Sequence, residues 1–239
     1  MKDNFIHVCF VIDESGSMSG TEGDVIGGFK RVIDEQKANS AGTCSVTYYT
    51  FDHNVKNLYM GKDIKEVEYI DDKYHPGGCT ALFDAVGTAI DEVGKWLDGM
   101  KEEDKPEKNL IVVMTDGGEN SSKEYSASKV KEMIKHQEDK YNWEFIYMGS
   151  DLTNADDANS LGFSTRLYSS KANYGANYDM INSVLCCYRG DAGPAGEKGI
   201  RLKRTLAEAA TNATIDYANE IGIDASSLLA TDNADENNK

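Results

Sequence analysis

Short apolar runs alternate with helix-period stretches along most of the chain. Residues 5–12 (FIHVCFVI) and 110–114 (LIVVM) are nearly continuous in apolar character, the pattern of strands covered on both faces. Residues 45–51 (SVTYYTF) and 55–60 are joined by Asp52-His53-Asn54, a polar connection that suits a hairpin. Residues 144–148 (EFIYM) and 165–168 read as further strands. Between them Val25, Phe29, Val32 and Ile33 share one helical face, as do Leu82, Val86, Ile90, Val93 and Leu97. Helical patterns also cover residues 124–138, 155–161 and 174–188. This alternation predicts an α/β fold: an open, mostly parallel, doubly wound sheet of Rossmann-like type with helices on both faces. The hairpin supplies one antiparallel edge strand.

The pattern breaks after Arg189. From Gly190 to Gly199 every third residue is glycine, the collagen period, but the run is far too short for a triple helix. A flexible linker is the expectation. A helix follows with Leu202, Leu206, Ala209, Ala213 and Tyr217 on one stripe, and the Asn- and Asp-rich tail from Asp224 is expected to be disordered. The chain thus divides into an α/β domain over 1–189, a Gly-rich linker over 190–200, and a C-terminal helix with an acidic tail over 201–239.

Composition narrows the function. A chain of 239 residues can bury a core without disulfides or a structural metal. The formal net charge of −16 argues against nucleic acid and anionic membranes as partners, since both require a basic surface. The cysteines Cys9, Cys44, Cys79, Cys186 and Cys187 are odd in number and irregular in spacing, so they predict free thiols and not a disulfide framework. The N-terminal apolar run is too short for a signal peptide and no stretch is long enough to span a bilayer, which together place the chain in the cytoplasm as an expectation.

Three polar segments sit where ligands bind in open α/β sheets, beyond the carboxyl ends of the strands. They are Asp13-Glu14-Ser15-Gly16-Ser17, Gly77-Gly78-Cys79-Thr80 and Asp116-Gly117-Gly118. Together Asp13, Ser15, Ser17, Thr80 and Asp116 offer carboxylate and hydroxyl oxygens, the donors a hard cation such as Mg²⁺ prefers. Taken singly, each has a plainer reading: Asp13, Ser15 and Ser17 as a polar turn or cap, Thr80 as a helix cap, Asp116 as a turn residue. Their conjunction favours the metal site.

With these motifs the chain resembles the von Willebrand factor A family, whose metal-ion-dependent adhesion site has the pattern DxSxS with a distant Thr and Asp. The likeness spans roughly residues 5–189, and DESGSM, GGCTALFDA and VVMTDGGEN look like bacterial and phage members. The resemblance implies that Ser15 and Ser17 hold the cation directly, that Asp13 and Asp116 balance its charge, often through water, and that Thr80 does either. It also implies Mg²⁺, with Mn²⁺ or Ca²⁺ as alternatives, and a protein partner that supplies an acidic residue to an open coordination position. A shift of the helix over 174–188 with the state of the metal site is a further implication.

A non-enzymatic binding module is therefore the expectation, with no catalytic residue assigned. A metal-dependent hydrolase or phosphotransferase is the first alternative. Against it, no GxxxxGK[ST] loop is present, and Met18 stands where a GxSxG nucleophile elbow needs serine. The second alternative is a structural module that binds through its C-terminal helix. Around the site, Glu14 is expected at the rim, and Asp52 and His53 as turn residues. His75 is expected as a solvated loop histidine, and Glu119 and Asn120 as supports for Asp116. The segment Gly149-Ser150-Asp151 is expected to border the site.

Overall fold

The computed structural model describes residues 1–150, 155–170, 174–191, 193, 195–222 and 224–225; Asp151 and the tail beyond 225 lie outside them. Six strands form one sheet: β1 (Lys2–Asp13), β2 (Thr43–Phe51), β3 (Val55–Asp63), β4 (Pro106–Thr115), β5 (Glu144–Gly149) and β6 (Thr165–Tyr168). Their order is β3-β2-β1-β4-β5-β6. All neighbours run parallel except β3, which turns back on β2 through the Asp52–Asn54 hairpin to make the antiparallel edge.

The near-continuous apolar run of β1 is explained by its central position. Ile6, Val8, Phe10 and Ile12 face a core layer that includes Phe29 and Val32 of α1 (Glu22–Ala38) and Tyr178 and Ile181 of α5 (Tyr174–Gly190). The intervening Cys9 and Val11 face the opposite layer, with Val86 and Ile90 of α2 (Leu82–Asp98), Ile134 of α3 (Ala127–Tyr141) and Ala158 of α4 (Ala155–Leu161). A strand buried on both faces has no use for polar alternation, and each such side chain contributes about 1.5–3 kcal/mol of burial.

Helix α3 begins three residues later than its periodicity suggests. Ser126 caps it, its hydroxyl accepting from the Lys129 amide. The preceding residues are held in a loop: both carboxylate oxygens of Asp84 accept amides of Lys123, Glu124 and Tyr125. The helix ends at Asn142, in the left-handed conformation that asparagine tolerates better than most residues.

The expected linker over 190–200 is shorter than its glycine period suggests, because helix α6 (Ala195–Ile221) already contains Gly199. Its course is transverse. Lys198 meets Asn4 and Glu107 at the starts of β1 and β4, and Lys203 meets Glu144 at the start of β5. Ala207, Ala210 and Thr211 lie against Ser164, Thr165 and Arg166 at the start of β6. The helix crosses the amino-terminal rim of the sheet from its centre to its edge and covers the otherwise open strand β6. Its stripe is spent on this packing: Leu202, Leu206, Tyr217 and Ala218 are buried. Among the described residues no helix is long and apolar enough to cross a membrane.

Candidate metal centre

The parallel register sets the site before any loop is considered. Ile12 of β1 stands beside Met114 of β4, so Asp13 and Thr115 end adjacent strands at the same rim. The Thr115 hydroxyl donates to Asp13 Oδ2 at 2.6 Å, and the Ser15 amide donates to Asp13 Oδ1 at 2.7 Å. Asp13 is completely buried, and burial pushes its carboxyl up to about 6. The hydrogen bonds from Thr115 and Ser15 pull it down, and the neighbouring Asp116 charge pushes it up.

After Asp13 the chain makes a single 3₁₀ turn over Gly16–Met18. This turn brings Ser15 Oγ and Ser17 Oγ to 3.0 Å, and Ser17 donates to Asp116 Oδ1 at 2.5 Å across two loops. Met18 is the turn's buried anchor, with the Tyr174 hydroxyl of α5 against its sulfur at 3.9 Å.

The third loop is stitched to the first by its backbone. The Gly16 amide donates to the Gly78 carbonyl, and the Gly77 amide to the Glu14 carbonyl. The Tyr74 hydroxyl donates to the Asp13 carbonyl at 2.7 Å. Gly78 has φ +80°, and a Cβ there would press on His53 Nδ1 at 2.8 Å. Glycine therefore suits this bend on both conformational and steric grounds.

Thr80 is not a helix cap: α2 has Ala81 at its N-cap position with no side-chain cap bond. Instead Thr80 exchanges two hydrogen bonds with Asn120, its amide to Oδ1 at 2.9 Å and its carbonyl from the Asn120 amide at 3.0 Å. The convergence of the three loops is visible at Gly117. A Cβ placed there would lie 3.0 Å from Thr80 Oγ1, 3.1 Å from Ser17 Oγ and 3.7 Å from Asp13 Oδ2.

The structure thus brings Asp13, Ser15, Ser17, Thr80 and Asp116 together. All except Ser17 are buried. Two carboxylates side by side in a dry setting are costly unless a positive charge joins them. Three hydroxyl oxygens beside them suit a hard cation. Among the described residues no group of three His, Cys, Asp or Glu side chains gathers as a metal site, so hydroxyls are essential to any coordination here. The residues present fit the cation the sequence suggests.

Several neighbours have roles other than those expected. Glu14 is not at the rim: it is 1% exposed and ion-paired with Lys56 of β3. Asn120 secures Thr80. Glu119 accepts the Phe83 amide at the start of α2, together with the Ser121 and Ser122 amides. Asp52 is a turn residue as expected, its Oδ1 accepting from the Asn54 amide, and its carbonyl also receives the Ala81 amide next to the site. His75 is exposed, bonded to the Asp72 carbonyl. Ser150 is buried at the end of β5, whereas Asp151 is outside the described residues. Thr115 had no signal in the sequence beyond its place next to Asp116.

The profile of the von Willebrand factor type A domain matches residues 7–175. No curated protein matches the chain. Among solved structures it is similar to proximal thread matrix protein 1 from the mussel byssus, at 17% identity and a TM-score of 0.55, over 78% of this chain and 47% of that one. The chain therefore spans about half the length of that protein. A form of the same protein described as having a zinc-occupied MIDAS motif matches at 16% identity and a TM-score of 0.52, over 78% and 47% of the two chains. The vWF domain of the type V pili tip protein Mfa5 from Porphyromonas gingivalis matches at 12% identity and a TM-score of 0.56, over 79% of this chain and 97% of that one. At such identities the likeness establishes the fold.

Proposed function

The chain belongs to the von Willebrand factor type A family, and from that premise we propose that it is a divalent-cation-dependent protein-binding module. Asp13, Ser15, Ser17, Thr80 and Asp116 hold one cation, Mg²⁺ in the first instance. The observation that carries this reading is the approach of Thr80, Ser17 and Asp13 oxygens, from three separate loops, to within 3.7 Å of one point beside Gly117. Each is oriented by a neighbour: Asp13 by Thr115, Thr80 by Asn120, Ser17 by Asp116. When bound, the cation would supply an electrophilic position for a partner's carboxylate. Exposed Ser17 marks the open side from which that carboxylate arrives.

The burial of the α6 stripe favours this reading over binding through the C-terminal helix. A reducing compartment such as the cytoplasm is part of the proposal. All five cysteines are unpaired, and Cys79 and Cys187 are exposed.

Calorimetric titration of Mg²⁺, Mn²⁺ and Zn²⁺ into metal-stripped protein tests the site. Saturable one-site binding that is lost in Asp116→Ala is expected. Undiminished affinity in that variant would remove the assignment. A second titration adds a Glu-containing peptide to the loaded protein. Peptide binding that survives chelation would overturn the carboxylate step while leaving the metal site intact.

A further inference from the structure

Ala81 at the N-cap of α2 makes no side-chain cap bond, so the first amides of this helix need acceptors from elsewhere. They find them on the loop that carries Asp116. Glu119 Oε2 accepts the Phe83 amide at 3.0 Å, and Ser122 Oγ accepts the Asp84 amide at 3.0 Å. The loop's own amides are taken up in the same exchange. Glu119 Oε1 accepts those of Ser121 and Ser122, and Asp84 accepts those of Lys123, Glu124 and Tyr125. The Ser122 hydroxyl donates to Glu119 Oε2 at 2.7 Å and ties the two sets together, while Asn120 adds its two bonds to Thr80.

Thr80 stands just ahead of α2 and Asp116 just ahead of Glu119, so this exchange joins two of the three metal loops into one body. Consecutive amides from 121 to 125 are all held by two carboxylates, which leaves the loop little freedom to move.

Such rigidity bears on the choice of cation. Mg²⁺ demands a near-ideal octahedron at about 2.0–2.1 Å, whereas Ca²⁺ accepts flexible shells at about 2.3–2.6 Å. Neighbouring oxygens of an octahedron are then about 2.9 Å apart around Mg²⁺ and about 3.4 Å apart around Ca²⁺. Ser15 Oγ and Ser17 Oγ stand 3.0 Å apart, at the smaller spacing.

We propose that Glu119, together with Asp84, is the positioning residue that fixes Thr80 and Asp116 against the serines at the spacing of a small cation, so that the site prefers Mg²⁺ to Ca²⁺. Glu119 acts through its loop and the first turn of α2, not as a ligand. The inference rests on the metal site proposed above.

Mg²⁺ and Ca²⁺ are titrated calorimetrically into the metal-stripped full chain, its Glu119→Gln and Ser122→Ala variants, and Ile134→Val. In Glu119→Gln an amide replaces one acceptor oxygen among donors. Its Mg²⁺ affinity is expected to fall about tenfold, as for other residues that orient metal ligands. Its Ca²⁺ affinity is expected to fall less than about threefold, because the larger ion tolerates a looser shell. Ser122→Ala is expected to move the Mg²⁺/Ca²⁺ ratio in the same direction by less. Ile134→Val trims the buried core of α3 away from the site and is expected to leave the ratio unchanged. The proposal is overturned by a wild type without preference for Mg²⁺, by equal losses for both ions in Glu119→Gln, or by an equal change of ratio in Ile134→Val. Should Glu119→Gln fail to fold in thermal unfolding without metal, an unchanged ratio in Ser122→Ala overturns it alone. A wild type that binds neither ion would remove the metal site itself, and the selectivity with it.

Discussion

Glu107 and Glu144 at one rim of the sheet and Asp13 and Asp116 at the other are buried carboxylates treated in opposite ways. At the amino-terminal rim each is matched by a lysine of the same chain. Glu144 meets Lys108 at 2.7 Å and Glu107 meets Lys198 at 3.2 Å, with all four side chains 6% exposed or less. At the carboxyl-terminal rim Glu14 has Lys56, but Asp13 is held by neutral donors alone, the Thr115 hydroxyl and the Ser15 amide, with Asp116 alongside. One rim completes its electrostatics internally. The other gathers oxygens and negative charge and so is completed from outside. Buried charge at the first is part of the fold, and at the second it is part of binding.

The largest test of this contrast removes one partner from the internally matched rim. Glu144→Gln leaves the Lys108 ammonium buried against the Asn142 carbonyl without its counter-charge. A loss of about 3–5 kcal/mol in denaturant unfolding is expected, the cost of an orphaned buried ion. A loss below about 1 kcal/mol would mean that water reaches the Lys108 ammonium and that this rim is not dry.

His7 offers a third way of handling charge, which is to avoid it. Burial lowers its pKa to about 3, with the hydrogen bond to Ser45 acting in the other direction, and its ring lies 4.7 Å from that of Trp96. The folded value is below the unfolded value of about 6.5. The unfolded chain therefore takes up the proton first, and stability from the neutral ring is full above pH ~6.5 and falls as pH drops toward 3. The slope is up to about 1.4 kcal/mol per pH unit, so about 2–3 kcal/mol separates pH 6.5 from pH 4.5. In His7→Phe this part of the acid dependence is expected to disappear. An unchanged stability difference between the two pH values would place the ring in a wetter setting.

At the carboxyl-terminal rim the sign reverses. Asp13→Asn removes a carboxylate that burial and Asp116 disfavour, so in chelator the variant is expected to gain about 1–2 kcal/mol or stay level. In saturating Mg²⁺ the wild type regains the lead, because a ligand that binds only the folded state stabilises it by mass action. Thermal unfolding of both proteins with and without Mg²⁺ checks this. A variant less stable than the wild type in chelator would make Asp13 a structural residue like Glu144.

The smallest effect belongs to neither rim. Arg31 and Asp179 join α1 to α5 at 3.1 Å, with side chains 47% and 61% exposed. Asp179→Asn is expected to change stability by less than about 0.5 kcal/mol, since solvent screens such pairs. A larger change would mean that exposure is a poor guide to charge energetics in this chain.

How much of this is legible in the sequence depends on the range of the interaction. The strands and most helices follow from local periodicity, because each element must bury a defined face. The exception at α3 has a local pattern but a distant cause: Asp84 holds residues 123–125 out of the helix from 39–41 positions away. Glycine periodicity over 190–200 suggested a linker, yet tertiary packing extends helix α6 into it, with Lys198 reaching Asn4 and Glu107. Glu14 reads as a rim residue from its place between Asp13 and Ser15 in sequence. Only the return of β3 along β2 brings half-exposed Lys56 to pair with it.

The alternation of elements, the layered α/β class and the three polar loops at strand ends all rest on short-range pattern and on residue chemistry. Which atoms meet follows from the packing of distant segments. The parallel register of β1 and β4 puts Thr115 on Asp13, and a 3₁₀ turn swings Ser17 onto Asp116. The transverse course of α6 closes the opposite rim, with Lys198 reaching Asn4 and Glu107. Such contacts depend on strand register, loop closure and the space left between helices. These are properties of distant segments held together, and no single stretch of the chain carries them.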